Sequence, residues 1–508
     1  MTPRRSFYRK IGYLTGIALL LAPLFWLSQP STIDRPGAKG TPGGKISQLR
    51  AKYHLGATDL GEIDPAGVTI KLATLGMSGI AADILWMKAD RYKVKKDWTD
   101  LSATLMQIRT LEPNFIGPWR FQAWNLSYNV SHEFDDYRQR YRWVIRGIDY
   151  LKEGIHYNEH EPVLQWDVGW FIGYKIGRSD EKKQFRRLFK EDDDFHGSRP
   201  MDERDNWLVG RQWFREAEEL VDSEGVKVRG VDPVVFRSDA PMWMTNYAEA
   251  LEGDGTFGEV AKHAWMNAQA DWDRFGRIEV LSTSGRTIRL GEKELHQAAA
   301  RRLTDELDAL QPGLRRRIVA EKRAQLDPAE RETLDVPPEK LADKQYQMSL
   351  AAKERIRVTH DEVARRITGP NQGKALELAQ QIADLEDLAG AIERYREIVN
   401  YDYWYHRALM EQTAQALNAR KLIHQGDRDF NDGDLLGSQK AYEQGMALWR
   451  KALDQFPELI GDRTMGDTLM DVIKRYREIL GQLDEPFPKN FILQDVLDKH
   501  EIKGEPKK

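Results

Sequence analysis

From residue 79 to residue 275 apolar residues recur at three- and four-residue spacings, and proline or glycine repeatedly interrupts them. In "GIAADILWMKADRYKVKK" Ile84, Leu85, Lys88 and Tyr92 fall at helical spacings, with charges on the other face. In "DWTDLSATLMQIRTLEP" Trp98, Leu101, Leu105 and Ile108 carry the period on until Pro113 stops it. Together they form a helical hairpin, and one such pair is too thin to bury its own apolar faces. Pairs in series must stack on their neighbours, which constrains the fold more than any other feature.

The pattern continues. "GPWRFQAWNLSYNVS" pairs with "DDYRQRYRWVIRGIDYLKEGI", and "PVLQWDVGWFIGYKIG" with "DEKKQFRRLFK". An acidic loop follows, then "WLVGRQWFREAEELV", "APMWMTNYAEALEGDG" and "TFGEVAKHAWMNAQADWDRF". In "RIEVLSTSGRTIRL" Ile278 alternates with Val280, and Ile288 with Leu290, around Ser284-Gly285, which predicts a short β-hairpin. The next stretch is rich in charge, Ala and Leu and is broken by Pro312, Pro328, Pro337 and Pro338. It predicts exposed helices in a projecting arm, with partial disorder near the prolines. The expected fold is mainly α: stacked helical hairpins in an irregular α-solenoid, one short β-hairpin and a charged helical insert.

Tyr92, Trp98 and Leu105 are placed relative to Leu111-Glu112-Pro113 as the aromatic and large positions of a tetratricopeptide repeat (TPR) are placed relative to its closing L-x-P. Trp119 follows that proline by six residues, where the next repeat opens, and Ala123 falls on its small-residue position. Near the other end Gly433, Leu435, Ser438, Tyr442 and Gly445 follow the second half of such a unit, with Pro457 about two turns late. The chain thus resembles the TPR family over roughly half its length. Its opening is also similar to membrane-anchored TPR-like proteins of certain bacteria. The resemblance implies architecture and a groove for a protein or peptide partner; it implies no activity.

The N-terminus speaks to location. Arg4, Arg5, Arg9 and Lys10 precede an apolar run from Ile11 to Ser28, long enough to span a bilayer at the short end of the range. The positive-inside rule keeps residues 1–10 cytoplasmic and sends the bulk of the chain to the periplasmic side. Arg4-Arg5 with Phe7 also resembles a twin-arginine signal, but no A-x-A-like site follows the run, so we expect an uncleaved single-pass anchor at 11–28 in the cytoplasmic membrane. Residues 29–60, rich in Pro and Gly, read as a flexible linker. A second apolar stretch from Ala66 contains Lys71 and Asp83, which argues against a span and for a strand or turn leading into the first helix. The remaining divisions are an N-terminal helical domain at 61–275, the hairpin and charged insert at 276–372, a C-terminal helical domain at 373–485, and a tail at 486–508, frayed at its end.

A formal charge of -4 gives no electrostatic case for nucleic acid. The absence of cysteine removes disulfides, thiol catalysis and thiolate metal sites. Candidate chemistry is confined to a few strings. His156, Glu159 and His160 in "HYNEH" match the inverted zincin spacing, which would make the histidines zinc ligands and Glu159 the base. Glu203, Glu216, Glu218 and Glu219 are acidic residues downstream, with nothing to mark any as a third ligand. Pro162 follows closely, so the favoured reading is a polar helix end at an inter-hairpin turn. "GDGTFG" (Gly253 to Gly258) follows a helical rather than a strand pattern, against a nucleotide role. "DRDFNDGD" (Asp427 to Asp434) puts Asp432 and Ser438 where a calcium loop needs glycine and glutamate. Arg315, Arg316 and Arg317 read as a solvated helix face.

Tryptophan is abundant at 15 residues, with helical spacings that fit packing between hairpins. Trp119, Trp124, Tyr128 and Asn129, close together on one inner helix, are the expected groove residues. The expected function is a membrane-anchored scaffold that binds a protein or peptide, without cofactor or catalysis. The alternatives are a zinc hydrolase at HYNEH and an envelope glycan-binding module using exposed tryptophans.

Overall fold

The computed structural model describes residues 78–501 apart from Ser284, with scattered positions between Thr15 and Leu49. The expected anchor, the linker and the stretch before Ser78 lie almost wholly outside the described residues. Among the described residues no helix is long and apolar enough to cross a membrane. The described residues are mainly helical, with one short two-stranded sheet among them. It divides into two compact units between Asp232 and Pro233.

In the first unit α1 (Ser78–Lys95) packs on α2 (Trp98–Leu111) through Ala82, Ala89, Leu101, Leu105 and Ile108. Lys96 turns the chain at φ 56°, and the Asp97 carboxylate then accepts from the Asp100 amide to start α2. α3 (Ile116–Trp124) runs on into a π-helical segment, Asn125–Val130, before α4 (Tyr137–Tyr157). α5 (Pro162–Phe171) likewise continues into a π segment, Ile172–Gly177. α6 (Lys182–Lys190) is short and packs on that π segment, so the lengthwise partner of α5 is α7 (Asn206–Glu224) rather than the α6 expected from sequence. Gly169 lets the two approach: a Cβ there would stand 2.7 Å from the Gly210 carbonyl oxygen. The main core joins Trp119, Val144, Ile148, Leu164, Val168 and Phe189.

The second unit opens with α8 (Pro233–Gly253) and α9 (Glu259–Arg277). Both were expected in the N-terminal domain. They fall here because Trp272 of α9 packs edge-on, and Phe275 tilted, against Tyr401 in a shared core. The hairpin forms as expected: β1 (Val280–Leu281) and β2 (Thr287–Ile288) are antiparallel, pairing Val280 with Ile288, and both face the core. α10 (Lys293–Leu310) lies along α15 (Gln372–Val399), so the expected boundary at 372/373 cuts through one core.

Between them α11 (Leu314–Ala324), α12 (Pro328–Leu334), α13 (Asp343–Ile356) and α14 (His360–Arg366) use the prolines as helix starts or turns. The charged stretch is not merely an exposed arm. Leu314, Ile318, Val363 and Ile367 form an apolar strip against Ala375 and Leu378 of α15. α16 (Tyr401–Glu411), α17 (Ala414–Asn431), α18 (Leu435–Gln455) and α19 (Arg463–Gln482) follow, and α17 packs lengthwise on α18. The expected tail from 486 is corrected: Phe491, Leu493, Val496 and Leu497, with α20 (Gln494–His500), are buried in the core of α18 and α19.

Candidate functional site: an aromatic row in the first unit

Trp124 and Tyr128 lie four residues apart, as do Trp170 and Tyr174, so each pair shares one helix face. Both pairs stack, Trp124 on Tyr128 with centroids 5.8 Å apart and Trp170 on Tyr174 at 4.5 Å. Tyr128 meets Trp170 at 6.3 Å and thereby joins the two pairs. Towards the N-terminus Phe121 meets Trp124 at 6.0 Å and Trp86 of α1 at 6.2 Å. The result is one aromatic row crossing α1, α3 and α5 with their π segments. Its rings are partly exposed, Trp124 the most at 38%. A small cleft of ≈ 60 Å³ opens at its start between Trp86, Lys93 and Phe121.

Lys175 sits beneath the row. Its residue is 8% exposed, and its Nζ lies 3.9 Å from the centre of the Tyr128 ring. Burial lowers the Lys175 pKa, against the opposing pull of Glu181. Burial also pushes the Tyr128 hydroxyl up to about 12, so it stays a neutral phenol. Beside the row runs a chain of amides, buried at Gln122 and Asn125 and half-buried at Asn129. Asn129 donates to Asn125 (2.9 Å), Asn125 to Gln122 (3.4 Å), and Gln122 to the Ser102 hydroxyl (2.8 Å). Arg120 grips Asp167 with two hydrogen bonds, yet burial outweighs the guanidinium and pushes Asp167 up to about 6.

Of the expected groove residues, Trp124, Tyr128 and Asn129 lie together along this row. Trp119 does not. It is fully buried, stacked on Tyr157 at 5.6 Å, and its indole N–H donates to the Pro113 carbonyl at 2.8 Å. The physical reason is phase: a five-residue step turns a helix by about 140°, which puts Trp119 and Trp124 on opposite faces. Trp86, Phe121, Trp170 and Lys175 were missed. The repeated W-x-x-x-Y of "WNLSY" and "WFIGY" was the signal that could have found Trp170.

The HYNEH residues do not share a helix. α4 ends at Tyr157, and Asn158 closes it, its amide donating to the carbonyls of Gly154 and Pro113, both at 2.9 Å. His156 packs edge-on against Tyr157; His160 lies beyond the helix with Nδ1 2.6 Å from Glu224 Oε2. Among the described residues no cluster of three His, Asp or Glu could hold a metal ion. Glu218 is buried and paired with Arg215. Gly255 and Gly258 take positive φ in the turn from α8 to α9. Asp427 accepts from the Tyr442 hydroxyl at 2.6 Å, and Asp434 caps α18. Arg315 pairs with Asp308, while Arg316 and Arg317 are exposed.

The second unit holds a buried ion cluster that sequence reasoning also missed. Arg420 makes two hydrogen bonds to Glu411 and reaches Glu252 at 3.9 Å. Arg407 meets Glu249 at 2.7 Å and Glu411 at 3.5 Å, and Trp265 donates to Glu252 at 3.0 Å. Three carboxylates face two guanidiniums, so one carboxylate lacks a cation of its own. Burial and the nearby Glu411 push Glu252 up to about 7. Comparison with known proteins gives no name to either site: no family model matches the chain, and no curated protein matches its sequence.

Proposed function

We propose that this chain is a membrane-anchored scaffold of the bacterial envelope, in which stacked TPR-like helical pairs hold an extended peptide or helix of a partner protein. The observation that carries the reading is the partly exposed aromatic row across consecutive pairs, with Trp124 at its most open point. Tryptophan and tyrosine supply large contact area for little entropy and dominate binding hot spots. The amide chain ending at Asn129 offers hydrogen bonds of the kind an extended backbone uses. In this reading residues 11–28 hold the chain at the membrane and its bulk faces the periplasm.

The test is recovery of a crosslinked partner from membranes by the full chain and by a Trp124→Ala/Tyr128→Ala variant. A discrete partner lost with the variant supports the scaffold. Equal recovery by both contradicts it. Quenching of tryptophan emission by cell-wall fragments in the full chain, lost in Trp124→Ala, would favour the glycan-binding alternative instead. The zinc-hydrolase alternative rests on the H-x-x-E-H spacing alone; near-stoichiometric zinc, lost in His156→Ala, would restore it.

A further inference from the structure

α1 carries a second apolar face. Ala82 and Ala89 meet α2, whereas Ile80, Ile84, Met87 and Val94 are 55%, 57%, 57% and 78% exposed. Their alternating four- and three-residue spacing, with Arg91 completing it, makes one stripe roughly 20 Å long at 1.5 Å per residue. A helix face in water ordinarily carries polar residues there. Charge says what covers it. Within α1 the basic residues Lys88, Arg91, Lys93 and Lys95 outnumber Asp83 and Asp90, in a chain whose net charge is -4. An apolar stripe with Arg91 inside it and Lys95 exposed beside it is the composition of a helix lying in a lipid interface, where long basic side chains reach the headgroups. In a second copy of the same helix those cations would meet like charges instead.

We propose that α1 docks by this stripe on an anionic phospholipid surface. The inference rests on the membrane-anchored reading: Ser78 comes 50 residues after Ser28, so α1 is the described helix tethered closest to the apolar run. That tether turns a weak interfacial contact into an intramolecular one. Docking holds the first unit against the bilayer and orients its aromatic row.

The chain has no cysteine, so Ile84→Cys and Leu436→Cys each give the full chain a single attachment point for a polarity-sensitive fluorophore. The full chain is reconstituted in vesicles of phosphatidylcholine alone or mixed with phosphatidylglycerol, with brominated acyl chains as quencher. The expected result is blue-shifted, bromine-quenched emission from position 84 in the mixed vesicles, weaker in phosphatidylcholine, and solvated emission from position 436 throughout. Lys95→Gln should lower the docked-to-undocked ratio about five-fold, from about 1 kcal/mol per basic residue at such a surface. Emission at 84 that matches 436 overturns the proposal. So does emission that is shielded but beyond bromine's reach, which would place residues 61–77 or another protein on the stripe. Flotation on phosphatidylcholine vesicles in high salt reports the 11–28 anchor alone. If the chain fails to float there, salt-sensitive flotation on the mixed vesicles, lost in Ile84→Asp/Met87→Asp, still decides for α1.

Discussion

The Lys175 ammonium lies 3.9 Å from the centre of the Tyr128 ring, in a residue that is 8% exposed. A buried ion loses several kcal/mol of hydration, while a desolvated cation–π contact returns about 2 kcal/mol. Desolvation is the larger effect. Lys175→Met, which keeps the stem and removes the charge, is therefore expected to stabilise the first unit by about 1 kcal/mol. The denaturation midpoint at unchanged slope measures it, and a destabilised variant would contradict the assignment.

Gly147 of α4 faces the π segment, where a Cβ would stand 2.1 Å from Ser127 Oγ and 2.7 Å from the Ala123 carbonyl oxygen. Gly147→Ala should cost about 2–3 kcal/mol, because overpacking forces the helices apart. Adding Ser127→Ala should recover only part of that loss, since the backbone contact remains. Full recovery in thermal unfolding would show that the hydroxyl alone sets the spacing.

Trp119 and Trp124 should behave oppositely. Trp119→Ala empties a core position and should cost about 3–5 kcal/mol. Trp124→Ala removes a partly exposed ring and should change stability by under about 1 kcal/mol. Equal losses in a denaturant titration would refute the division of α3 into a packing face and an exposed face.

Glu252 binds its proton more tightly in the folded protein, since its value rises from 4.5 to about 7. Its stabilising contribution is complete below about 4.5 and is lost as pH rises to about 7. Burial would also raise Glu411, but Arg420 and Arg407 outweigh it and hold that carboxylate low, so its contribution is lost only in more acid solution. Glu252→Gln should therefore flatten the fall in stability between about pH 5 and about pH 8 by on the order of 2 kcal/mol. Parallel stability curves for the two proteins would place the unpaired charge elsewhere.

Helical periodicity located the main helices because it reports which side of each must be buried; Leu101, Leu105 and Ile108 are all in the core. The hairpin at Val280 and Ile288 was legible for the same reason, through its two-residue alternation. What was not legible depends on partners distant in sequence. Glu411, Arg420 and Glu252 look like ordinary helix-surface charges until α8, α16 and α17 bring them together. The division at 232 follows from α9 packing on Tyr401, which no local pattern encodes. Trp119 and Trp124 are close in sequence, but the helical turn between them decides which one is accessible, and sequence proximity alone does not show it.

If the row through Trp124 binds a protein, as proposed, site-specific photocrosslinking in intact membranes will capture that protein. A photoreactive phenylalanine analogue is placed at Trp124 in one full-length variant and at Leu436, 68% exposed in the second unit, in another. The expected result is one discrete protein adduct from position 124 that is absent from position 436 and is lost when Tyr128→Ala is added. No adduct from 124, or the same adducts from both positions, would contradict it.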